Sequence, residues 1–271
     1  MNRINRLFQT RSGNILSIFF TAGYPTQTST AQIIKALSGA GADMIEIGIP
    51  FSDPMADGPV IQKSSDTALK LGMNIRLLFS QIRDIRKEVD IPLLLMGYLN
   101  PVMQFGMERF CHQCAETGID GVILPDLPLE VYTENPSRLS QDYNRGSLLS
   151  LFTGYNLHHI FLVSPQTAEN RIRKMDELSK SFLYLVSSSS TTGVRDGFGT
   201  DQLVYFERIR SMKLNNPGLI GFGISNHKTY ATACRMASGA IIGSAFVKML
   251  GSATNLEKDI SEFVSEIRGK E

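Results

Sequence analysis

The sequence predicts an α/β fold, a single (β/α)8 TIM barrel with parallel strands and a short extra N-terminal helix, covering residues 1–271 as one domain. Three observations predict it. Eight short apolar runs recur along the chain, and each closes on Gly, Pro or a polar cluster. Helical patterns lie between them, most with apolar residues spaced by three and four. The length of 271 residues, 42% of them hydrophobic, suits a barrel of about 250 residues.

The runs, in order, are IFFTAG (18–23), MIEIGIP (44–50), IPLLLMGY (91–98), GVILPDLP (121–128), HIFLVSP (159–165), FLYLVSS (182–188), LIGFGIS (219–225) and GAIIGSA (239–245). Near-continuous apolar runs suit parallel strands, because a βαβ unit buries both faces of each strand. Helices are predicted over 28–41, 74–89, 107–118, 167–180, 200–212 and 227–239, several of them closing at Gly. The stretch Glu130 to Leu157 breaks the rhythm. It is long for one crossover helix and is interrupted by Pro136 and Gly146, so two short helical pieces or a helix with an irregular insertion are expected. The first twenty residues place charges on both sides of their apolar positions and lack a small-residue cleavage site, which argues against a secretory leader.

Composition narrows the partners. A net charge of +1 without basic clusters does not suggest nucleic acid or an anionic membrane. No run approaches the roughly 18 apolar residues that span a bilayer. Three cysteines argue against a disulfide framework, so a reducing cytoplasm is the expected location.

Two carboxylates carry the functional signal. Glu46 sits inside an otherwise apolar strand, where an ionised acid must be paired or else stay protonated. Asp57 follows in a loop stiffened by Pro50, Pro54 and Pro59. An acid on a rigid strand and another on the loop leaving it can face each other across a substrate as an acid/base pair. Glycine-rich segments close the last three strands (Ser187 to Gly197, Gly221 to Ser225 and Gly243 to Lys248). Their backbone N–H groups and a following helix N-terminus suit a phosphate monoester.

Other signals read as structural. Cys111 and Cys114 have metal-ligand spacing but no second ligand pair, and they share a helical face with Phe110 and Ala115. His158 and His159 open the fifth strand at its N-terminal rim, and His227 caps or starts a helix. No metal ligand set and no nucleotide fingerprint appears. A Schiff-base aldolase would need a lysine on a central strand, and none of the eight runs contains one.

Taken together, FTAGYP, IEIGIPFSDPMADGPVIQ, MGYLNPV, LPDLP, LVSPQT, the TTG of the sixth loop, GFGIS and GSAFVK closely resemble the tryptophan synthase alpha subunit family, in the family order, from Phe19 to Lys248. The resemblance implies a lyase that cleaves indole-3-glycerol phosphate to indole and glyceraldehyde 3-phosphate. It implies that Glu46 shuttles protons and that Asp57 holds the indole N–H. Phe20, Tyr98, Tyr184 and Phe222 would wall the indole pocket. Thr192 and Gly193 match the loop that closes over the site, and Gly193, Gly223, Gly243 and Ser244 match phosphate contacts. The resemblance implies no cofactor in this chain. It implies an α2β2 assembly whose beta subunit carries pyridoxal phosphate and faces Asp53, Asn100 and Pro128. Two features depart from the family pattern: the long Pro136 to Gly154 stretch, and Ser188 where many members carry arginine.

Overall fold

The computed structural model describes residues 1–134, 146–187 and 198–269. Its strands are β1 (Ile15–Thr21), β2 (Met44–Gly48), β3 (Leu93–Met96), β4 (Gly121–Ile123), β5 (His158–His159), β6 (Phe161–Val163), β7 (Leu183–Val186), β8 (Gly218–Gly221) and β9 (Gly239–Ile242). Every pairing is parallel, in the order β5-β4-β3-β2-β1-β9-β8-β7-β6. Only Ile160 separates β5 from β6, and its N–H donates to Val122 O at 3.0 Å. β5 pairs with β4 and β6 pairs with β7, so one bent segment completes the ring. The eight predicted runs are therefore eight staves, the fifth of which changes partner midway.

Alternation along each strand sorts the side chains into two cores. On β1, Ile15 and Phe19 point into the barrel with Met44, Leu94, Ile123 and Phe182. Leu16, Ile18 and Phe20 point outward and pack beneath the helices with Ile45, Ile47 and Leu95. The predicted helices form at Thr30–Ala40, Ile75–Ile82, Met107–Thr117, Glu169–Leu178, Thr200–Ser211 and His227–Met236. Gly41 and Gly118 end two of them in the left-handed region, with φ of 95° and 74°, where a side chain would be strained. Helices at Pro59–Lys70, Leu99–Phe105, Ser244–Leu250 and Leu256–Arg268 complete the outer layer.

The N-terminal helix Arg3–Thr10 closes the barrel floor. Asn2 accepts from Ile4 N and donates to Asp120 O (2.8 Å) and Asn156 O (3.0 Å), which places Ile4 in the inner core. The buried Asp120 carboxylate takes Arg3 (3.1 Å), Arg86 (2.5 Å) and Leu93 N (3.0 Å). Asp43 takes Arg11, Arg268 (2.6 Å) and Leu16 N (2.8 Å). Such charge-assisted bonds, made to a buried acid from several elements, fix this rim and leave the opposite end of the strands to the loops.

Between Glu130 and Leu157 the described residues form two short helices, Leu129–Thr133 and Leu148–Gly154, in line with the two-piece reading; residues 135–145 lie outside the described residues. Cys111 and Cys114 are buried in the outer core as the shared helical face predicts. His159 lies in that layer against Tyr132, Phe152 and Phe161. His227 begins its helix behind the Asn226 cap. No helix among the described residues is long and apolar enough to cross a membrane.

Candidate active site

Glu46 lies on the inward face of β2 and is 0% exposed. Its Oε1 accepts a hydrogen bond from the Ser17 hydroxyl at 2.7 Å, while Oε2 has no partner among the described residues. Burial raises its pKa to about 7, and the Ser17 hydrogen bond restrains the rise. A carboxyl in this state both gives and takes a proton near neutrality.

Asp57 sits in the loop that follows β2 and is also buried. The Tyr98 hydroxyl donates to Asp57 Oδ2 at 2.9 Å and accepts from Ala56 N at 3.0 Å. Gln62 Nε2 donates to the Asp57 carbonyl at 2.9 Å. The tyrosine thus ties the proline-rich loop to the end of β3. Burial lifts the Asp57 pKa to about 6, opposed by the Tyr98 hydrogen bond. On β7, burial holds the Tyr184 hydroxyl well above its ordinary range, reinforced by the negative charges of Glu46 and then Asp57. Tyr184 is therefore the side chain that senses both acids.

A small cavity of about 10 Å³ lies beside Asp57, walled by Phe19, Thr21, Met96, Tyr98 and Ile61. Glu46 lies on the same face of β2, one inward position below Gly48, which also lines the cavity. Two glycines make the aromatic wall possible. A Cβ on Gly48 would lie 2.5 Å from Phe19 Cζ, and one on Gly221 would lie 2.3 Å from Tyr184 Cε1. Phe222 adopts φ 67°, a strained conformation for an aromatic residue, and is held by the Ser187 hydroxyl donating to its carbonyl at 2.7 Å. Its ring meets Tyr184 edge-on at 6.3 Å. A larger cleft of about 260 Å³, between β4 and β6, touches neither carboxylate.

Most of the expected residues gather here. Tyr98, Tyr184 and Phe222 lie at this end of the barrel. Phe20 does not, because strand alternation turns it outward into the helix-facing core, and its neighbour Phe19 supplies the wall instead. Gly223 follows β8; Gly243 and Ser244 open the helix after the adjacent β9, and Gly243 adjoins Phe19 and Ile61. Thr192 and Gly193, with Ser188, lie outside the described residues. Asp53, on the loop after β2, Asn100, in the first turn of the helix Leu99–Phe105 after β3, and Pro128, before the helix Leu129–Thr133 after β4, are exposed. Phe19 and Ser17 were the residues that composition alone did not single out; the period-two spacing of Ser17, Phe19 and Thr21 is the signal that marks them. Among the described residues, no three His, Cys, Asp or Glu side chains are grouped to hold a metal ion.

A parallel barrel with two buried carboxyls whose pKa values burial raises toward neutrality, beside an aromatic-lined cavity at the C-terminal ends of its strands, has the make-up of a barrel enzyme of the acid–base class. The family model described as "Tryptophan synthase alpha chain" matches residues 6–270. The tryptophan synthase alpha chain of Bacteroides fragilis is 51% identical over 261 residues, covering 96% of this chain and 95% of that one. The Flavobacterium psychrophilum alpha chain is 51% identical over 267 residues, covering 98% and 100%. Among solved structures, Mycobacterium tuberculosis tryptophan synthase superposes with a TM-score of 0.83 at 27% identity, covering 98% and 96%. The Legionella pneumophila alpha subunit gives 0.83 at 29%, covering 99% and 98%. The chain belongs to the tryptophan synthase alpha chain family, lyases that cleave indole-3-glycerol phosphate to indole and glyceraldehyde 3-phosphate in tryptophan biosynthesis. The alpha chain of this family needs no cofactor of its own.

Proposed function

We propose that in this reaction Glu46 is the proton shuttle and Asp57 the carboxylate that holds the indole N–H. The retro-aldol cleavage sets the requirements. The Glu46 carboxylic acid protonates the indole ring carbon bearing the side chain, which makes the ring an electron sink. Asp57, ionised, accepts the N–H and stabilises the positive charge that develops on the ring. The Glu46 carboxylate then takes the proton of the side-chain hydroxyl. As the carbonyl of glyceraldehyde 3-phosphate forms, the C–C bond breaks and its electron pair returns to indole, leaving Glu46 protonated again.

The observation that carries this reading is the Glu46 carboxyl, fully buried, anchored through Oε1 and, among the described residues, unpartnered at Oε2. Phe19, Tyr98, Tyr184 and Phe222 supply the apolar and aromatic walls an indole needs. Gly223, Gly243 and Ser244 receive the phosphate through backbone donors, with Thr192 and Gly193 completing the site from the sixth loop. We take residues 1–271 as one cytoplasmic barrel domain.

We further propose that a pyridoxal-phosphate beta subunit binds the face carrying Asp53, Asn100 and Pro128 and forms an α2β2 assembly. The likeness to solved Mycobacterium tuberculosis tryptophan synthase and the exposure of those three residues support the partner. Sedimentation with a matched beta subunit, together with cleavage of indole-3-glycerol phosphate with and without it, tests both parts. The expected result is a complex larger than either chain and turnover by the isolated chain that the partner raises. No complex at micromolar concentration would refute the assembly, and no turnover in either state would refute the catalytic reading.

A further inference from the structure

At the level of Glu46 the barrel interior is apolar, built from Ile15, Phe19, Met44, Leu94 and Ile241. Ser17 interrupts it. It lies on the inward face of β1 between Ile15 and Phe19 and is 0% exposed. A hydroxyl buried among hydrocarbon loses its hydration unless it finds a hydrogen-bond partner. The partner is Glu46 Oε1, at 2.7 Å. The parallel register pairs Ser17 with Met44 and Phe19 with Glu46, so the serine reaches the carboxyl diagonally from the next strand. With Oε1 occupied, Oε2 is the oxygen left without a partner among the described residues.

We propose that Ser17 is a positioning residue for the cleavage reaction, which fixes Glu46 Oε1 so that Oε2 exchanges the proton with substrate. The proposal rests on the reading of Glu46 as the proton shuttle. Two consequences separate it from simple packing. An unanchored carboxyl can rotate, so proton transfer slows while substrate binding does not. The hydroxyl also favours the ionised carboxyl, so removing it makes Glu46 a weaker acid. Among the described residues, the other titratable group coupled to Glu46 is Tyr184 on β7, which stays protonated. It is not a cation that could replace the serine.

The test is cleavage of indole-3-glycerol phosphate by Ser17→Ala and Ser17→Thr across about pH 5 to 9, with Glu46→Gln alongside and folding checked by thermal unfolding. Ser17→Ala is expected to lose about tenfold in kcat with KM within about twofold, and its alkaline limb to move up by about one pH unit. Ser17→Thr, which keeps the hydroxyl, is expected to restore the parent limb. A parent-like limb in Ser17→Ala, or a shared profile for Ala and Thr, would overturn the positioning role. If Ser17→Ala fails to fold, Ser17→Cys, a near-isosteric weak donor, carries the same expectations. Glu46→Gln separates the two readings. If it is inactive while Ser17→Ala behaves like the parent, only the serine's role fails; if it keeps full activity, the shuttle reading fails as well.

Discussion

Tyr98→Phe removes one oxygen and leaves the ring packed 5.2 Å from Phe51. It deletes the hydrogen bond to Asp57 Oδ2 and the acceptor for Ala56 N. Ala56 is exposed, so water replaces the second bond. The first matters more, because it is what opposes the burial of the Asp57 carboxyl. A hydrogen bond to a charged group is worth about 1.5–3 kcal/mol, or about one to two pKa units. Asp57 keeps 9% of its surface exposed, so the lower end applies. Asp57 is then expected to titrate about one unit higher than its present value of about 6. On the proposed mechanism the active form has Asp57 ionised and Glu46 protonated. Asp57 thus sets the acid limb of kcat/KM, and Glu46, near 7, sets the alkaline limb. With site pKa values about one unit apart, roughly 60% of the free enzyme is correctly protonated at the optimum; with coincident values, roughly a quarter is. The expected profile is narrower, with its acid limb about one unit higher and its peak about twofold lower from protonation alone. The assay is kcat/KM for indole-3-glycerol phosphate against pH. An acid limb that stays put, or moves down, in the folded variant would refute the role given to Tyr98.

Two further outcomes follow from the same geometry. Because the folded-state pKa of Glu46 is raised, its contribution is most favourable below about 4.5 and is lost as pH rises toward 7. Between pH 5 and 8, Glu46→Gln is therefore expected to gain about 2–3 kcal/mol relative to the parent, read from urea unfolding at both values; parallel pH dependence in parent and variant would contradict the raised pKa. At Gly243 a Cβ meets Phe19 Cδ1 at an ordinary 3.5 Å, so Gly243→Val is expected to fold. Its branched side chain crowds the backbone donors, and KM for the phosphate substrate is expected to rise about tenfold, with unchanged KM refuting the phosphate site.

The sequence made the fold and its two acids legible for the same reason. An acid inside an apolar run is conspicuous, and so is a proline-stiffened loop that holds a second acid. Phe19 and Phe20 show where such reading stops. Both are apolar and adjacent, and which one faces the cavity depends on strand phase, set by pairing with β2 and β9. Ser17 is unremarkable in a strand until Glu46, 29 residues away, is seen to accept from it. The Tyr98 to Asp57 bond spans 41 residues and likewise exists only once β2 and β3 are side by side. The change of partner between β5 and β6 reflects ring closure, which no local pattern encodes.

The central claim is that the Glu46 carboxyl moves protons. Single-turnover cleavage of indole-3-glycerol phosphate by folded Glu46→Gln tests it most directly. The amide keeps the size of the side chain and a hydrogen-bonding oxygen for Ser17 but cannot exchange a proton. The expected loss is about four orders of magnitude or more, because the group acts in two proton transfers. A rate within a few-fold of the parent would make Glu46 a structural acid and contradict the mechanism.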